Sequence, residues 1–256
     1  MAEAPIVDIL MYHSIAKDDV ATAIAPDIFA AQMDELETSG LPVITMDDYV
    51  EARAGRENLD PVSVIITFDD AFQDFHDKAF PILKEKGFPS IVYVPTGSVG
   101  GVENWLGALH SPRKIMDWGV IQQLSKDGVQ FGSHSVSHPD LNGLKALSLT
   151  DEVRRSKHTL EEKLGYEINH FAPPYGHADY FARAAVERLY TTSVGTTLAR
   201  ASLDSDIMDL PRLEMFYFQK MKRWRDHLKG RGRAYFARRK ALRQARQAMN
   251  KPWERI

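Results

Sequence analysis

The chain has 256 residues, 44% of them hydrophobic and 26% charged, which is enough apolar material for one large domain with a real core. Cysteine is absent, which excludes disulfides and thiolate metal sites and leaves His, Asp and Glu as the protein ligands of any metal. The formal charge of −3 hides an asymmetry: from position 217 onward 14 Lys and Arg face two acids, Asp226 and Glu254, a net +12, so the remainder carries −15. An acidic body over 1–216 and a basic helical tail over 217–256 are the expected units. No basic n-region opens the sequence and no run approaches the roughly 20 apolar residues of a membrane span, so a cytoplasmic location is expected.

In chain order, residues 5–12 read as a first strand that delivers His13 at its carboxyl end. Pro26, Phe29, Met33 and Leu36 have helical spacing, with Gly40 as a stop. The β-branched run 62–68 predicts a buried strand that ends on two carboxylates, Asp69 and Asp70. Phe72, Phe75, Ala79 and Leu83 mark a helix closed by Gly87; a strand follows over 91–94, then a helix through Ile121 and Leu124. A short strand over 128–132 delivers His134, and a helix is expected over 150–164 with Thr150 as its cap and Gly165 as its stop. The strand 168–171 leads into Pro173-Pro174-Tyr175-Gly176; a helix through Phe181, Ala185 and Leu189 precedes strands over 191–195 and 208–213, and the polar stretch 199–209 reads as an exposed loop. Strand and helix alternate about seven times, which predicts a parallel α/β protein, either a barrel or a doubly wound sheet.

A buried strand has no use for adjacent Asp residues at its end unless something neutralises them, and in parallel α/β sheets the carboxyl ends of strands face the ligand crevice. The imidazoles of His134 and His138 stand four apart, and a helical turn there would place both on one face, where they could bind one metal. The bland alternatives are a helix cap for the aspartates and ordinary surface positions for the histidines, but a cap needs only one Asp and leaves the histidines unexplained. Successive side chains leave a strand in different directions, so a division of labour is expected: one Asp joins His134 and His138 as a ligand, and the other stands ready to take a proton from water, which amounts to a metal-assisted hydrolase.

Thr67-Phe68-Asp69-Asp70, Gly132-Ser133-His134 through His138-Pro139-Asp140-Leu141, and Phe171-Ala172-Pro173-Pro174-Tyr175-Gly176 resemble, in order, three motifs of the polysaccharide deacetylases with a NodB-type domain, carbohydrate esterase family four. That resemblance implies a distorted (β/α)7-type barrel that removes N-acetyl groups from amino-sugar polymers by cutting a linear amide C–N bond. It implies Asp69 as the catalytic base and Asp70, His134 and His138 as ligands of a divalent metal, most often Zn2+, with Co2+, Ni2+ or Fe2+ as alternatives. Tyr175 matches the residue whose backbone N–H helps form the oxyanion hole. Family members often carry Arg where this chain has Ala172; Arg212 is the candidate to fill that space from another strand, the alternative being a plain surface Arg. The late Leu-x-His motif of the family is missing, and Leu10-Met11-Tyr12-His13 on the first strand resembles a circularly permuted branch that acts on biofilm poly-N-acetylglucosamine or holdfast-type polysaccharides. This resemblance implies His13 as the general acid, the alternative being a strand-end histidine hydrogen-bonded to a loop.

Tyr93, Trp105 and Trp118 are candidates for sugar contact; Trp118 fits a packing residue at a helix start better, whereas Trp105 sits in the glycine-rich loop 97–107. In the tail, Phe218, Met221, Trp224 and Leu228 line one helical face, and after Gly230 and Gly232 an alanine stripe (Ala234, Ala237, Ala241, Ala245, Ala248), beside Leu242 and Met249, runs amid Arg238, Arg239, Lys240, Arg243 and Arg246. This basic amphipathic pattern suits an anionic membrane surface at the inner face of the cell membrane, where a lipid-linked precursor would be met. Packing on the acidic body or a dimer arm in a homo-oligomer are the alternatives, and nucleic acid ranks last. The expected partner is an N-acetylated polysaccharide or oligosaccharide. Against the enzyme reading stands a non-catalytic polysaccharide-binding or scaffold protein that keeps the fold.

Overall fold

A computed structural model describes residues 5–18, 20–105 and 111–248. Seven parallel strands close into a barrel in the order β1 (Ile6–Tyr12), β2 (Val62–Phe68), β3 (Ile91–Val94), β4 (Gln130–Ser133), β5 (His170–Phe171), β6 (Thr192–Leu198) and β8 (Leu210–Glu214), which returns to β1. The two-residue β7 (Ala201–Ser202) adds antiparallel to β1. Register is set by the β1–β2 pair, which matches residue for residue from Ile6 with Val62 to Tyr12 with Phe68, so His13 and Asp69 leave neighbouring strands at the same level. The alternative of an open, doubly wound sheet is excluded by this closure.

Around the barrel run α1 (Pro26–Ser39), α2 (Met46–Arg53), α3 (Phe80–Lys86), α4 (Trp118–Lys126), α5 (Ala146–Leu164), α6 (Tyr180–Glu187), α7 (Met221–Leu228) and α8 (Arg233–Ala248). Strand side chains alternate: Val7, Ile9, Ile65, Ile91, Val194 and Leu210 fill the barrel with Met46 and Tyr49 of α2, which plugs its amino end. Leu10, Val64, Ile66 and Phe68 face outward into the larger cluster beneath the helices. Gly132 stands where a Cβ would come within 2.6 Å of the Tyr93 ring, so the barrel holds that ring only because β4 has no side chain there.

Several expectations are corrected. α5 starts at Ala146, not after a Thr150 cap: Lys145 is the N-cap, with no side-chain cap bond, and burial of Leu149 extends the helix by a turn. In α6 the buried positions are Ala182 and Val186, whereas Phe181 is 72% exposed. The helix expected from Phe72 opens as a wide π-helical turn over Phe75–Ala79 before α3. The stretch 199–209 is no exposed loop, because β7 and the fully buried Ala201 lie within it. Helix α2 was not foreseen at all; its signature is the capping box in which Thr45 and Asp48 satisfy each other's backbone N–H groups.

The stretch from 217 onward meets the body through α7. Phe218 and Trp224 are buried in the same apolar cluster as the barrel strands, and the Trp224 indole N–H donates to the Gln32 carbonyl at 2.9 Å. Arg225 pairs with Glu35 of α1, so the basic segment meets acidic α1. On α8, Tyr235 and Phe236 pack toward the body, and Arg239 lies 5.1 Å from the Tyr217 ring centre. The alanine stripe points the other way: Ala234, Ala237, Ala241 and Ala245 are exposed beside Leu242 and Arg238. Met249 and the rest of the expected tail lie outside the described residues, and no described helix is long and apolar enough to cross a membrane.

One buried charge fastens α7. Asp8, facing out of β1, accepts hydrogen bonds from the Arg200 guanidinium at 2.6 and 3.0 Å, and His227 Nε2 lies 2.9 Å from its Oδ2. Burial pushes the Asp8 carboxyl up, but His227 and Arg200 outweigh it and hold it below its ordinary value. A carboxyl depressed in the folded state stabilises the fold above its unfolded pKa, about 3.9, and that stability drains away as pH falls through the folded value. The melting temperature of an Asp8→Asn variant is therefore expected to fall less steeply than the parent's between about pH 4 and pH 2. Parallel acid limbs in a pH series of thermal melts would refute this.

Candidate active site

All the predicted site residues sit at the carboxyl end of the barrel, delivered by different strands. At the end of β2 the Asp69 N–H still pairs with the Tyr12 carbonyl at 3.0 Å, and the chain then turns through left-handed backbone at Asp70 (φ 72°) and Ala71 (φ 54°). That turn separates the two carboxylates. Asp69 continues the inward alternation of β2, and Asp70 swings toward the loop after β4.

That loop is not helical, as the four-residue spacing had suggested. Ser135 (φ 66°) and His138 (φ 57°) are left-handed, and the turn is pinned by Glu152, whose carboxylate accepts the N–H groups of Val136 and Ser137 and the Ser137 hydroxyl. The result still points both imidazoles at one place. His134 Nε2 lies 3.4 Å and His138 Nε2 3.3 Å from Asp70 Oδ1, and the three ligand atoms lie within 4.8 Å of one another.

Three features test whether this trio fits a cation. His134 Nδ1 lies 2.6 Å from the Ala172 carbonyl, which can only accept, so the ring proton sits on Nδ1 and Nε2 presents its lone pair. Asp70 Oδ1 is buried and has no hydrogen-bond partner among the described residues, although both imidazoles stand close. Ligands about 2.0–2.1 Å from a tetrahedral centre are separated by about 3.4 Å, which matches the two distances to Asp70. Burial would raise the Asp70 carboxyl, but the two histidines hold it well below the usual range. Two imidazoles and a carboxylate make a suitable site for zinc, cobalt, nickel or iron.

Beside the trio, Asp69 is gripped on both oxygens by Arg212, Nη1 to Oδ1 and Nη2 to Oδ2, each at 2.7 Å. Arg212 is 1% exposed, and its Nε donates to the Gly195 carbonyl. Closure of the barrel by β8 brings this guanidinium across 143 residues of sequence to Asp69. Burial would raise the Asp69 carboxyl, but Arg212 overrides it and keeps Asp69 ionised below its ordinary value. His13 Nε2 stands 3.8 Å from Asp69 Oδ2.

Aromatic rings line the rim. Trp105 stacks on His138, with centroids 4.1 Å apart and planes at 22°, and Tyr175 meets the same imidazole edge-on at 4.9 Å. Tyr175 has left-handed backbone (φ 59°). Of the other aromatic candidates, Tyr93 is sealed inside the barrel and out of reach of a ligand, and Trp118 packs against the core at the start of α4. Loop residues 106 and 107 lie outside the described residues.

One residue went unread in the sequence. Glu214 is two positions beyond Arg212 on β8 and so shares its inward face; it is buried, pushed up by that burial, and opposed by the charges of His13, Arg243 and Arg212. Singling out Arg212 already implied it, because side chains two apart on a strand share a side.

A family model described as polysaccharide deacetylase matches residues 56–194. The Bacillus subtilis (strain 168) protein YxkH is 25% identical over 208 residues, covering 81% of this chain and 70% of that one. Among solved structures, a Streptococcus pyogenes deacetylase, PplD, in complex with acetate superposes with a TM-score of 0.72 at 25% identity, over 83% of this chain and 93% of that one. IcaB from Ammonifex degensii shares the fold with a TM-score of 0.75 at 22% identity, over 90% and 98%. The family match spans more than half of the sequence and takes in Asp69, Asp70, His134, His138 and Tyr175, on a barrel of the same architecture; the chain belongs to the polysaccharide deacetylase family.

Proposed function

We propose that this protein is a metal-dependent N-deacetylase that hydrolyses the acetamide of N-acetylhexosamine units in a bacterial exopolysaccharide or its lipid-linked precursor. The observation that carries the reading is the pairing of two unlike carboxylates a residue apart: Asp70 aimed at two imidazoles, Asp69 locked and ionised by Arg212. A site built only to bind sugar has no need of that division.

An acetamide is a weak electrophile with a poor leaving group. Asp70, His134 and His138 would hold a divalent cation, which would supply Lewis acidity for the carbonyl oxygen and lower the pKa of a water beside it. Asp69 accepts a proton from that water. Arg212 holds it ionised and ready to accept. The Arg212 fork also fixes the plane of the carboxylate. In this reading the Tyr175 N–H donates to the oxyanion of the tetrahedral intermediate. His13 gives its proton to the departing amine as the C–N bond breaks, leaving acetate and a free amino sugar.

The test is acetate release from N-acetylglucosamine oligomers. Turnover is expected from the metal-loaded protein, is lost on chelation, and returns when zinc, cobalt, nickel or iron(II) is restored. Protein that holds one metal per chain and binds the oligomers without releasing acetate would instead support the polysaccharide-binding alternative.

A further inference from the structure

The two imidazoles of the trio are held in different ways. His134 is steered by a hydrogen bond, from Nδ1 to the Ala172 carbonyl at 2.6 Å. His138 has no such bond: its Nδ1 is buried and has no hydrogen-bond partner among the described residues. A metal-binding imidazole almost always donates from its second ring nitrogen, which fixes both its tautomer and its ring plane. What meets His138 instead is aromatic. The Trp105 indole lies on it with centroids 4.1 Å apart and planes at 22°, while Tyr175 and His134 make T-shaped contacts at 4.9 and 4.8 Å.

Trp105 is fastened in that position. Segments 101–105 and 113–116 run antiparallel: the Glu103 N–H donates to the Arg113 carbonyl and the Ile115 N–H to the Gly101 carbonyl, each at 3.0 Å. Across them the Arg113 guanidinium forks onto Glu103, Nε to Oε1 at 2.6 Å and Nη2 to Oε2 at 2.8 Å, with side chains only 9% and 3% exposed. Its Nη1 donates to Thr22 Oγ1, and the guanidinium lies 4.0 Å from the Phe72 ring centre. The same segment is bonded to the turn that carries Asp70, through the Met116 N–H to the Ala71 carbonyl at 3.0 Å and the Gln73 N–H to the Lys114 carbonyl at 2.8 Å. A buried ion pair adds little net stability over apolar residues of the same size, but a two-pronged one fixes geometry. Here it ties the stack on His138 to the turn that aims Asp70.

We propose that Trp105 is a positioning residue for the metal-binding trio, holding the His138 ring by stacking where the Ala172 carbonyl holds the His134 ring by a hydrogen bond, with the Arg113–Glu103 fork keeping Trp105 in place. The proposal rests on the reading of Asp70, His134 and His138 as cation ligands. Stacking does more than fix a plane. An imidazole that ligates a divalent cation gives up electron density, and the electron-rich face of an indole attracts the more positive ring. The contact therefore strengthens when the cation binds, and Trp105 raises the affinity of the site as well as packing the arm. The indole face turned to His138 is closed to a pyranose.

The test measures zinc binding to metal-free, full-length protein by competition with a chelating dye, for the parent, Trp105→Phe, Trp105→Leu and Arg113→Lys. Affinity is expected to fall from the parent through Phe to Leu, with Leu about 10–100-fold weaker than the parent. Phe and Leu fill similar space, so a role in packing alone predicts equal losses for the two. Arg113→Lys keeps the charge but not the fork, and should weaken zinc binding by a smaller factor. Zinc should also change the tryptophan emission of the parent, and the change should vanish in Trp105→Phe although the other three of the four tryptophans remain. Equal affinity in all four proteins, or equal losses for Phe and Leu, would overturn the positioning role and leave the metal site standing. Unchanged zinc affinity with weaker binding of N-acetylglucosamine oligomers would overturn it too and assign Trp105 to the sugar. A parent that binds no zinc would remove the positioning role and the metal site together. Graded zinc losses in a protein that releases no acetate would uphold the positioning role and remove the deacetylase reading.

Discussion

An Asp69→Asn protein is expected to release acetate about 10²–10⁴-fold more slowly than the parent while still binding one divalent cation per chain. The substitution is nearly isosteric, so the cleft keeps its shape, and it leaves Asp70, His134 and His138 untouched. What it removes is the acceptor: the amide cannot take a proton from water. Residual turnover would then depend on proton transfer to solvent from a cleft whose Asp69 is 4% exposed. Metal content measured on the same preparation separates this result from loss of the cation. A variant with full metal and a rate within tenfold of the parent would remove Asp69 from the proton-accepting role, and Glu214, a buried carboxyl near His13 outside the metal-binding trio, would become the candidate.

Much of this site was legible because barrels turn a local signal into a spatial one. A β-branched run followed by charged residues needs no partner in sequence to be read as a strand end, and parallel strands put all such ends on one face. Strands over 62–68 and 91–94 and the aspartate and histidine pairs were therefore visible residue by residue. Arg212 was visible only as a candidate, since nothing local tells a buried strand arginine from an exposed one until β8 closes against β1.

The misreadings have physical causes. A four-residue histidine spacing suits a helix, yet Glu152 holds that turn in left-handed backbone and reaches convergence by another path. In α6 the larger apolar residue was assigned to the core, but the helix is held close to the barrel by small ones, and Phe181 is left outside. On α8 polarity itself misleads, because Arg239 stacks its planar cation on Tyr217 and Tyr235 while alanines face water.

Arg212 offers the sharpest separation of stability from chemistry. Arg212→Met is expected to destabilise the fold by about 3–5 kcal/mol, since it leaves a buried carboxylate without its counter-charge. Asp69→Asn strands the guanidinium in turn, so the double variant Asp69→Asn/Arg212→Met should be more stable than the two single losses added together predict, by about 0.5–3 kcal/mol in denaturant melts. Activity follows a different rule. With Arg212 gone, burial pushes the Asp69 carboxyl up, and the acid limb of turnover moves to higher pH because the base must be ionised to accept a proton. Arg212→Lys restores a charge but not the two-pronged grip, so it should recover part of the stability and leave Asp69 poorly oriented. Additive stabilities together with an unmoved acid limb would mean that Arg212 merely packs the barrel. Coupled stabilities with a shifted limb would mean that one guanidinium, contributed from the last strand, sets the protonation state and the aim of the carboxylate on the second.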